Sequence, residues 1–314
     1  MPRSRSRPQQ RQSPSKRTHP RHDHSNGHVT TPVIAGAHVS SGGGIYRAIE
    51  RARQLDADAL QLFTQSPRAW RPTDHKPDAI ARFRKDRVEQ GIEAVVCHAL
   101  YLINLASPDP EIYAKSCAAL VNTVNVATSI EADCVVLHVG SHLGQGLDSA
   151  LPRVCEALTE ALDHCNGPTW LLLENSAGAG GTIGRSLAEL ATIIDELGAP
   201  DKLGVCLDSC HLWVSGTDVG DPNEVDRLVQ ELDDSVGLER LRCLHVNDAL
   251  AELGSNRDRH ANLLEGEIGD RLATFVAHPA FSGLPAILET PGAAGKGADA
   301  AEMSKLRGLA RGMR

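Results

Sequence analysis

The sequence predicts an α/β protein closed into one eight-stranded (β/α) barrel, and three observations carry that expectation. Short apolar runs alternate with amphipathic segments at a spacing of about thirty residues, as repeated βα units around a parallel sheet require. Eight such runs occur, and eight strands separated by helices fit a closed barrel better than an open sheet. Six of the runs end in His, Asp or Glu, and in parallel barrels it is the C-terminal strand ends that converge on one face.

In chain order, strand 33–39 leads to helix 44–54, strand 57–63 to helix 78–90, and strand 93–98 to helix 110–129. Strand 133–139 precedes helix 147–166, strand 169–174 precedes helix 186–197, and strand 203–208 precedes helix 222–236. Strand 241–246, helix 270–277 and strand 285–289 complete the count. The helical segments space their apolar residues by three and four, as in Leu151, Val154, Cys155, Leu158 and Leu162, which makes a stripe to lay against the sheet. Several start with Pro or Asp, the residues that suit a first helical turn. The expected organisation is a basic, disordered segment at 1–31, the barrel at 32–292, and a frayed helix or tail at 293–314.

The net charge of −8 argues against non-specific nucleic-acid binding, but the charge is unevenly spread. Residues 1–30 hold seven basic side chains against Asp23 alone, a net of +6, which leaves −14 on the remainder. A polar, Arg- and Ser-rich segment buries too little apolar area to offset its ordering entropy. It is open to two readings, a weak hold on polyanions or an idle extension. No run of eighteen apolar residues spans a membrane and no secretory signal is present, so a soluble, cytoplasmic protein is expected. Of the eight cysteines, Cys97, Cys134, Cys206 and Cys243 sit in apolar runs and read as small buried residues. Cys210, beside His211, is the one that also admits a thiolate-ligand reading.

The chemistry concentrates at the strand ends. Strand three ends in His98, strand four in His138, strand five in Glu174, and strand six in Asp208 with His211 one turn on. Strand seven ends in His245 and strand eight in Glu289, while the loop between them holds Asp258 and His260 two residues apart, on one side of an extended segment. A single His at a strand end is commonly structural. Nine imidazoles and carboxylates from six strands have instead the donor chemistry of a multinuclear zinc-type site. Such a site offsets carboxylate charge, attracts an anion and activates water.

At these residues the sequence resembles the endonuclease IV family of apurinic/apyrimidinic endonucleases, from about Val33 to Thr290. The motifs are GAHVSSGGG from Gly36, CHALYLINL around His98, LENSAGAGG around Glu174, GVCLDSCHLWVSG around Asp208, LHVNDA around His245, GSNRDRH to His260, and AILET to Thr290. The resemblance implies a TIM barrel with three zinc ions, manganese being the alternative in one place. It puts His98 and His138 on the first ion, Asp208, His245 and Glu289 on the second with Glu174 bridging the two, and His211, Asp258 and His260 on the third. Glu174, Glu289 and His138 are the implied catalytic residues.

The implied reaction is hydrolysis of the phosphodiester 5′ to an abasic site in duplex DNA, leaving a 3′-hydroxyl and a 5′-deoxyribose phosphate, with trimming of blocked 3′ ends as an associated activity. Arg68 and Tyr101 match positions that insert into the duplex, and Asn104 joins them as an expected DNA contact. His38, His142, Asn175 and Asn247 are expected to support ligands or touch phosphate, against ordinary turn and core roles. Aromatics are 3% of the chain, too few for a base-stacking platform, so a reader of duplex shape is expected. Ala99, Val139 and Leu264 depart from the family pattern without removing a ligand. A monomer associated with the nucleoid is expected. Two competing readings are a sugar isomerase or epimerase on a related barrel, and a zinc-stabilised lesion binder that does not cut.

Overall fold

In the computed structural model, residues 32–312 are described, and the basic segment expected to be disordered at 1–31 lies outside them. Eight parallel strands close a barrel: β1 Ile34–His38, β2 Ala59–Phe63, β3 Ala94–His98, β4 Cys134–Leu137, β5 Trp170–Glu174, β6 Leu203–Asp208, β7 Leu241–His245 and β10 Pro285–Leu288. They follow one another around the barrel in chain order, and β10 closes the ring between β7 and β1. The expected eight-stranded (β/α) barrel is what forms. Between β7 and β10 the chain adds a short antiparallel ribbon, β8 Asp248–Ala249 with β9 His260–Ala261, which the sequence pattern did not announce.

The strands are short, and nearly all their residues are buried, because helices cover the outside while side chains fill the inside. Successive residues alternate between those two environments. The inward set begins with Ala59, Val96, Cys134, Val136, Leu172, Cys206, Cys243 and Ile287, which form a core cluster of their own inside the barrel. Gly36 and Gly204 also face inward, where space is short: a Cβ at Gly36 would lie 2.6 Å from Ile287 Cδ1, and one at Gly204 2.4 Å from the Arg240 carbonyl oxygen.

Two residues further along each strand, the same inward parity delivers His38, Gln61, His98, His138, Glu174, Asp208, His245 and Glu289 to the C-terminal mouth. An apolar floor therefore carries a polar rim. Burial of that floor holds the strands in register, since a one-residue slip would send every rim group into the helix layer.

The segment after Glu289 does not fray. Asp299 caps a helix at Ala300–Ala310 by accepting from the backbone N–H groups of Ala301 and Glu302, and Met303, Leu306 and Leu309 are buried beneath it. The helix N-terminal to β7, Pro222–Ser235, and the one after β4, Leu147–Leu162, bury stripes that include Val225, Leu228 and Leu232 in the former and Val154, Leu158 and Ala161 in the latter. An unpredicted helix, Ser209–Ser215, starts directly from β6. Among the described residues no helix is long and apolar enough to cross a membrane.

Candidate metal centre

Glu174 lies at the centre of the rim with no exposure, and its two oxygens face different neighbours. Oε2 is 3.5 Å from His98 Nε2 and 3.3 Å from His138 Nε2. Oε1 is 2.9 Å from His245 Nδ1 and 3.3 Å from His211 Nδ1. Glu289 Oε2 approaches His245 Nδ1 at 3.4 Å from the far side. Beyond the strands, Asp258 stands 3.4 Å from His211 Nε2 and 3.3 Å from His260 Nε2.

Three sets of His, Asp and Glu donors have their ligand atoms within 4.8 Å of one another: His98, His138 and Glu174; Glu174, Asp208, His245 and Glu289; and His211, Asp258 and His260, while Cys210 falls equally close to Asp208 and His260, and Cys206 and Cys243 to His245. The structure thus brings all nine expected ligands together, grouped as the family resemblance implied.

Whether cations suit these residues can be judged from their unmet needs. His98 Nε2, Glu174 Oε2 and His260 Nε2 are buried and have no hydrogen-bond partner, an arrangement that costs free energy unless something else satisfies them. Two of the three orphans belong to one donor set and the third to another. The charges agree. Burial opposes ionisation of Glu174, yet the imidazoles of His138 and His245 and hydrogen bonds from His211 and His245 hold it well below the usual carboxylate range.

Burial likewise opposes charge on Glu289, and His245 and His98 bring it down to about 2. In return the carboxylates lift His211 and His245 well above an ordinary imidazole, and His260 to about 9, each against the opposing effect of burial. Four carboxylates converge and protons on imidazoles compensate them. Divalent ions, which bind neutral imidazole and carboxylate, fit the same demand.

The surroundings fix these groups in place. Asp208 ends β6 and caps the next helix, its Oδ1 accepting from the His211 N–H at 2.7 Å. Asn247 donates through Nδ2 to Asp208 Oδ2 at 2.6 Å and accepts from the Glu289 N–H at 2.9 Å, so one amide ties two ligands. Asn175 accepts from the Asp208 N–H at 2.7 Å, and its carbonyl oxygen holds His211 Nδ1 at 2.9 Å. Both asparagines thus brace side chains of the candidate centre. The His98 ring is held by the Ala99 carbonyl oxygen, 2.6 Å from Nδ1, a backbone contact available to any residue at 99. Val139 is fully buried, and its carbonyl oxygen accepts from the Leu105 N–H.

His38 also reaches the rim, 4.0 Å from Glu289 Oε1 and packed 4.6 Å from the Phe63 ring, and burial lowers it to about 4. It lines a groove of about 720 Å³ together with the Ser41–Gly44 turn, Lys76, Tyr101, Glu289 and Lys296. Tyr101 is 56% exposed and packs edge-on against Phe63 beside this groove. Arg68 is exposed and makes no ion pair among the described residues.

Two of the expected residues also serve the backbone. Asn104, expected as a DNA contact or as hydrogen-bonding support, lines a groove with His138, His211 and Asp258, and its Oδ1 accepts from the Ser141 and Ala106 N–H groups while Nδ2 donates to the Ser141 carbonyl, so it clamps two loops together. His142, expected to support ligands or phosphate, accepts at Nδ1 from the Gly144 and Gly146 N–H groups and so shapes its own loop. Both stand near strand ends, but backbone groups with unmet hydrogen bonds are there too, and those are what they serve.

Cys210 behaves as a thiol. Burial drives its pKa up, and it points at the Arg259 carbonyl. All eight cysteines are free. Leu264 holds φ at +66°, so the loop keeps its left-handed turn at a cost of roughly 1 kcal/mol that glycine would not incur.

Sequence reasoning missed two residues. Gln61 is fully buried among the rim groups, and the inward parity of β2 would have exposed it. Asp248 lies fully buried beneath the loop that carries Asp258 and His260, accepting from the N–H groups of Ala249, Gly266, Ile268 and Gly269 at 2.8 to 3.3 Å. No spacing pattern marks it.

A closed eight-stranded barrel with ligand side chains at its C-terminal mouth defines a class, and residues 49–308 match the model of the xylose isomerase-like TIM barrel family. Within that class the chain belongs to the endonuclease 4 family. It is 38% identical to a probable endonuclease 4 from Methanoculleus marisnigri over 88% of this chain and 99% of the relative, and 36% identical to one from Halothermothrix orenii over 87% and 98%. Its structure is similar to that of endonuclease IV from Thermus thermophilus, with a TM-score of 0.78, 36% identity, and coverage of 89% of this chain and 99% of that one. A D-tagatose 3-epimerase-like protein, 17% identical with a TM-score of 0.65, covering 90% of this chain and 97% of its own, shares the fold alone.

Proposed function

We propose that this chain is a repair endonuclease that hydrolyses the phosphodiester 5′ to abasic sites in duplex DNA, leaving 3′-hydroxyl and 5′-deoxyribose phosphate ends. The observation that supports this reading most is the arrangement of nine donors as three adjoining sets that share Glu174 or abut it. His98, His138 and Glu174 would hold one zinc ion, Glu174, Asp208, His245 and Glu289 the next, and His211, Asp258 and His260 the third, where manganese is the alternative in one place.

Bound there, divalent ions lower the pKa of water towards neutrality and neutralise charge on phosphodiester oxygens. Four carboxylates against three such ions leave a formal +2, which is how an acidic protein would draw a phosphate into its mouth. Glu174 spans two sets and so fixes their separation, Glu289 closes the second, and His138, the most open of the strand-borne imidazoles at 33% exposure, faces the entering substrate.

Tyr101, half exposed beside the groove, and Arg68, exposed on the segment after β2, would fill the gap left by the missing base. An abasic nucleotide lacks stacking and pairing, so turning it out of the helix costs less than turning out an intact one. The enzyme would act as a cytoplasmic monomer with its substrate entering the open barrel end. A sugar epimerase shares the barrel, but the loop-borne set of His211, Asp258 and His260 favours a phosphodiester.

The test is one assay. Purified protein is incubated with a duplex carrying a single abasic analogue, before and after prolonged metal stripping, and the ends are identified. The expected product is a nick with a 3′-hydroxyl that stripping abolishes and zinc restores. A β-elimination product, or equal cutting of undamaged duplex, would overturn the proposal.

A further inference from the structure

All eight strands bring an inward-facing group to the barrel mouth, and seven of these groups are His, Asp or Glu. The eighth is Gln61 on β2, with no solvent exposure and with its amide nitrogen and amide oxygen both engaged. Its Nε2 donates to Glu289 Oε1 at 2.6 Å and lies 3.0 Å from His38 Nδ1, while its Oε1 lies 2.8 Å from His245 Nε2.

The direction of this network follows from elementary chemistry. A carboxylate can only accept, so the amide nitrogen must be the atom beside Glu289, and the reverse orientation would press two acceptors together. That leaves the amide oxygen beside His245, and an oxygen with no hydrogen requires the proton on His245 Nε2. The lone pair of the neutral ring is then on Nδ1, the atom 2.9 Å from Glu174 and 3.4 Å from Glu289. The second amide hydrogen points to His38 Nδ1, so His38 carries its own proton on Nε2. Glu289 is divided in the same way, Oε1 to the amide and Oε2 to the cluster.

We propose that Gln61 is a positioning residue for the metal centre, dictating the tautomer of His245 and the allotment of the Glu289 oxygens, so that both present the correct atom to one cation. The inference rests on the reading of Asp208, His245 and Glu289 as ligands of one ion. Gln61 acts through those side chains and touches no reacting atom. Partners of this kind turn a loose His–carboxylate pair into a pre-aimed one, because the ring can neither flip nor shift its proton. A buried polar side chain that served packing alone would not need both donors and its acceptor engaged with three rim groups.

Two variants of the full-length, zinc-loaded protein separate these roles. Gln61→Met keeps the length and the apolar volume but removes every hydrogen bond, whereas Gln61→Glu keeps the acceptor towards His245 and sets an anion against Glu289. The measurements are zinc affinity by competition with a chelator, the nitrogen-15 NMR signature of His245, thermal melting, and kcat and KM on an abasic duplex.

For Gln61→Met the expected result is a lowered melting temperature, because His38, His245 and Glu289 each lose a hydrogen bond, together with one zinc held roughly 10- to 100-fold more weakly, loss of the slowly exchanging His245 Nε2–H signal, and a fall in kcat with little change in KM. Gln61→Glu should keep that signal and still hold one zinc more weakly. Wild-type zinc affinity with an unchanged His245 signal in Gln61→Met overturns the proposal, and wild-type zinc affinity in Gln61→Glu does so should Gln61→Met fail to fold. If the parent protein takes up no zinc at all, it is the functional reading that falls, whereas zinc uptake by the parent with no weakening in Gln61→Met sinks the role of Gln61 alone.

Discussion

The strand-borne and the loop-borne ligands are built in different ways. Glu174, Asp208 and His245 have no exposure, His98 has 1%, and each is carried by a strand hydrogen-bonded to neighbours on both sides. Asp258 is half exposed, His260 is one-fifth exposed, and both belong to a long excursion between β7 and β10. The first group is placed by the barrel itself.

The second is placed by what pins the excursion down. Asp248 gathers four of its backbone N–H groups, the Ser209–Ser215 helix accepts from the Gly254 and Asn256 N–H groups, and Glu302 on the C-terminal helix accepts from the Leu263 N–H at 2.8 Å. Side chains set on a ladder need few local props; side chains on a loop need one for nearly every turn.

This contrast can be broken most severely at its shared member. Glu174→Gln removes the charge that both strand-borne sets rely on while preserving shape, and incision should fall by on the order of 10³-fold or more with the fold retained. Single-turnover kinetics beside a far-ultraviolet spectrum would check it, and near-normal incision would mean that Glu174 is not the bridging group.

A smaller and more selective effect is expected from Asp248→Ala, which touches no ligand. Orphaning its N–H partners should cost about 3 kcal/mol in denaturant unfolding, and metal analysis should show about one ion lost from the loop-borne set while two remain. Equal loss from all sets would show that the loop and the strands are not separately supported.

The subtlest expectation concerns protons. In the ion-free protein His260 is lifted to about 9, His211 and His245 are lifted as well, and the unfolded chain returns each to about 6.5. A raised imidazole contributes its stability fully below the unfolded value and loses it as pH climbs through the folded one. Stripped protein should therefore melt at progressively lower temperature between about pH 6.5 and 9. His38, lowered to about 4, works the other way, since only the unfolded chain protonates it near pH 6.5, but its opposing slope is confined to the lower end of that window. Zinc-loaded protein, with ions in place of protons, should show a flatter profile, and parallel profiles for the two forms would contradict this account.

Much of this was legible in one dimension. The eight apolar runs declared the barrel, and the alternation within each run decides which residues face inward, so strand pattern alone singles out His98, His138, Glu174, Asp208, His245 and Glu289. Asp258 and His260 were legible as a pair because two-residue spacing keeps both on one side of an extended segment. Gln61 shares that inward parity and could have been placed at the mouth, but an amide among Leu60, Leu62 and Phe63 carries no metal signature, so its role was not legible. For Asn104 and His142 the backbone partners were not legible, because nearness to a strand end does not reveal which donor or acceptor a side chain will meet.

By itself the sequence determined the period, the number of strands and the chemical character of each inward-facing end, because those depend on residues adjacent in the chain. Only the tertiary structure decided the pairings: that the two oxygens of Glu174 face His98 and His138 on one side and His245 and His211 on the other, that Gln61 bridges His245 and Glu289, and that Asp248 holds the far loop. The reason is geometric. Closing the barrel brings Gln61 and Glu289, 228 positions apart, into hydrogen-bond distance, and the stagger between neighbouring strands, which no local pattern encodes, selects which residues meet.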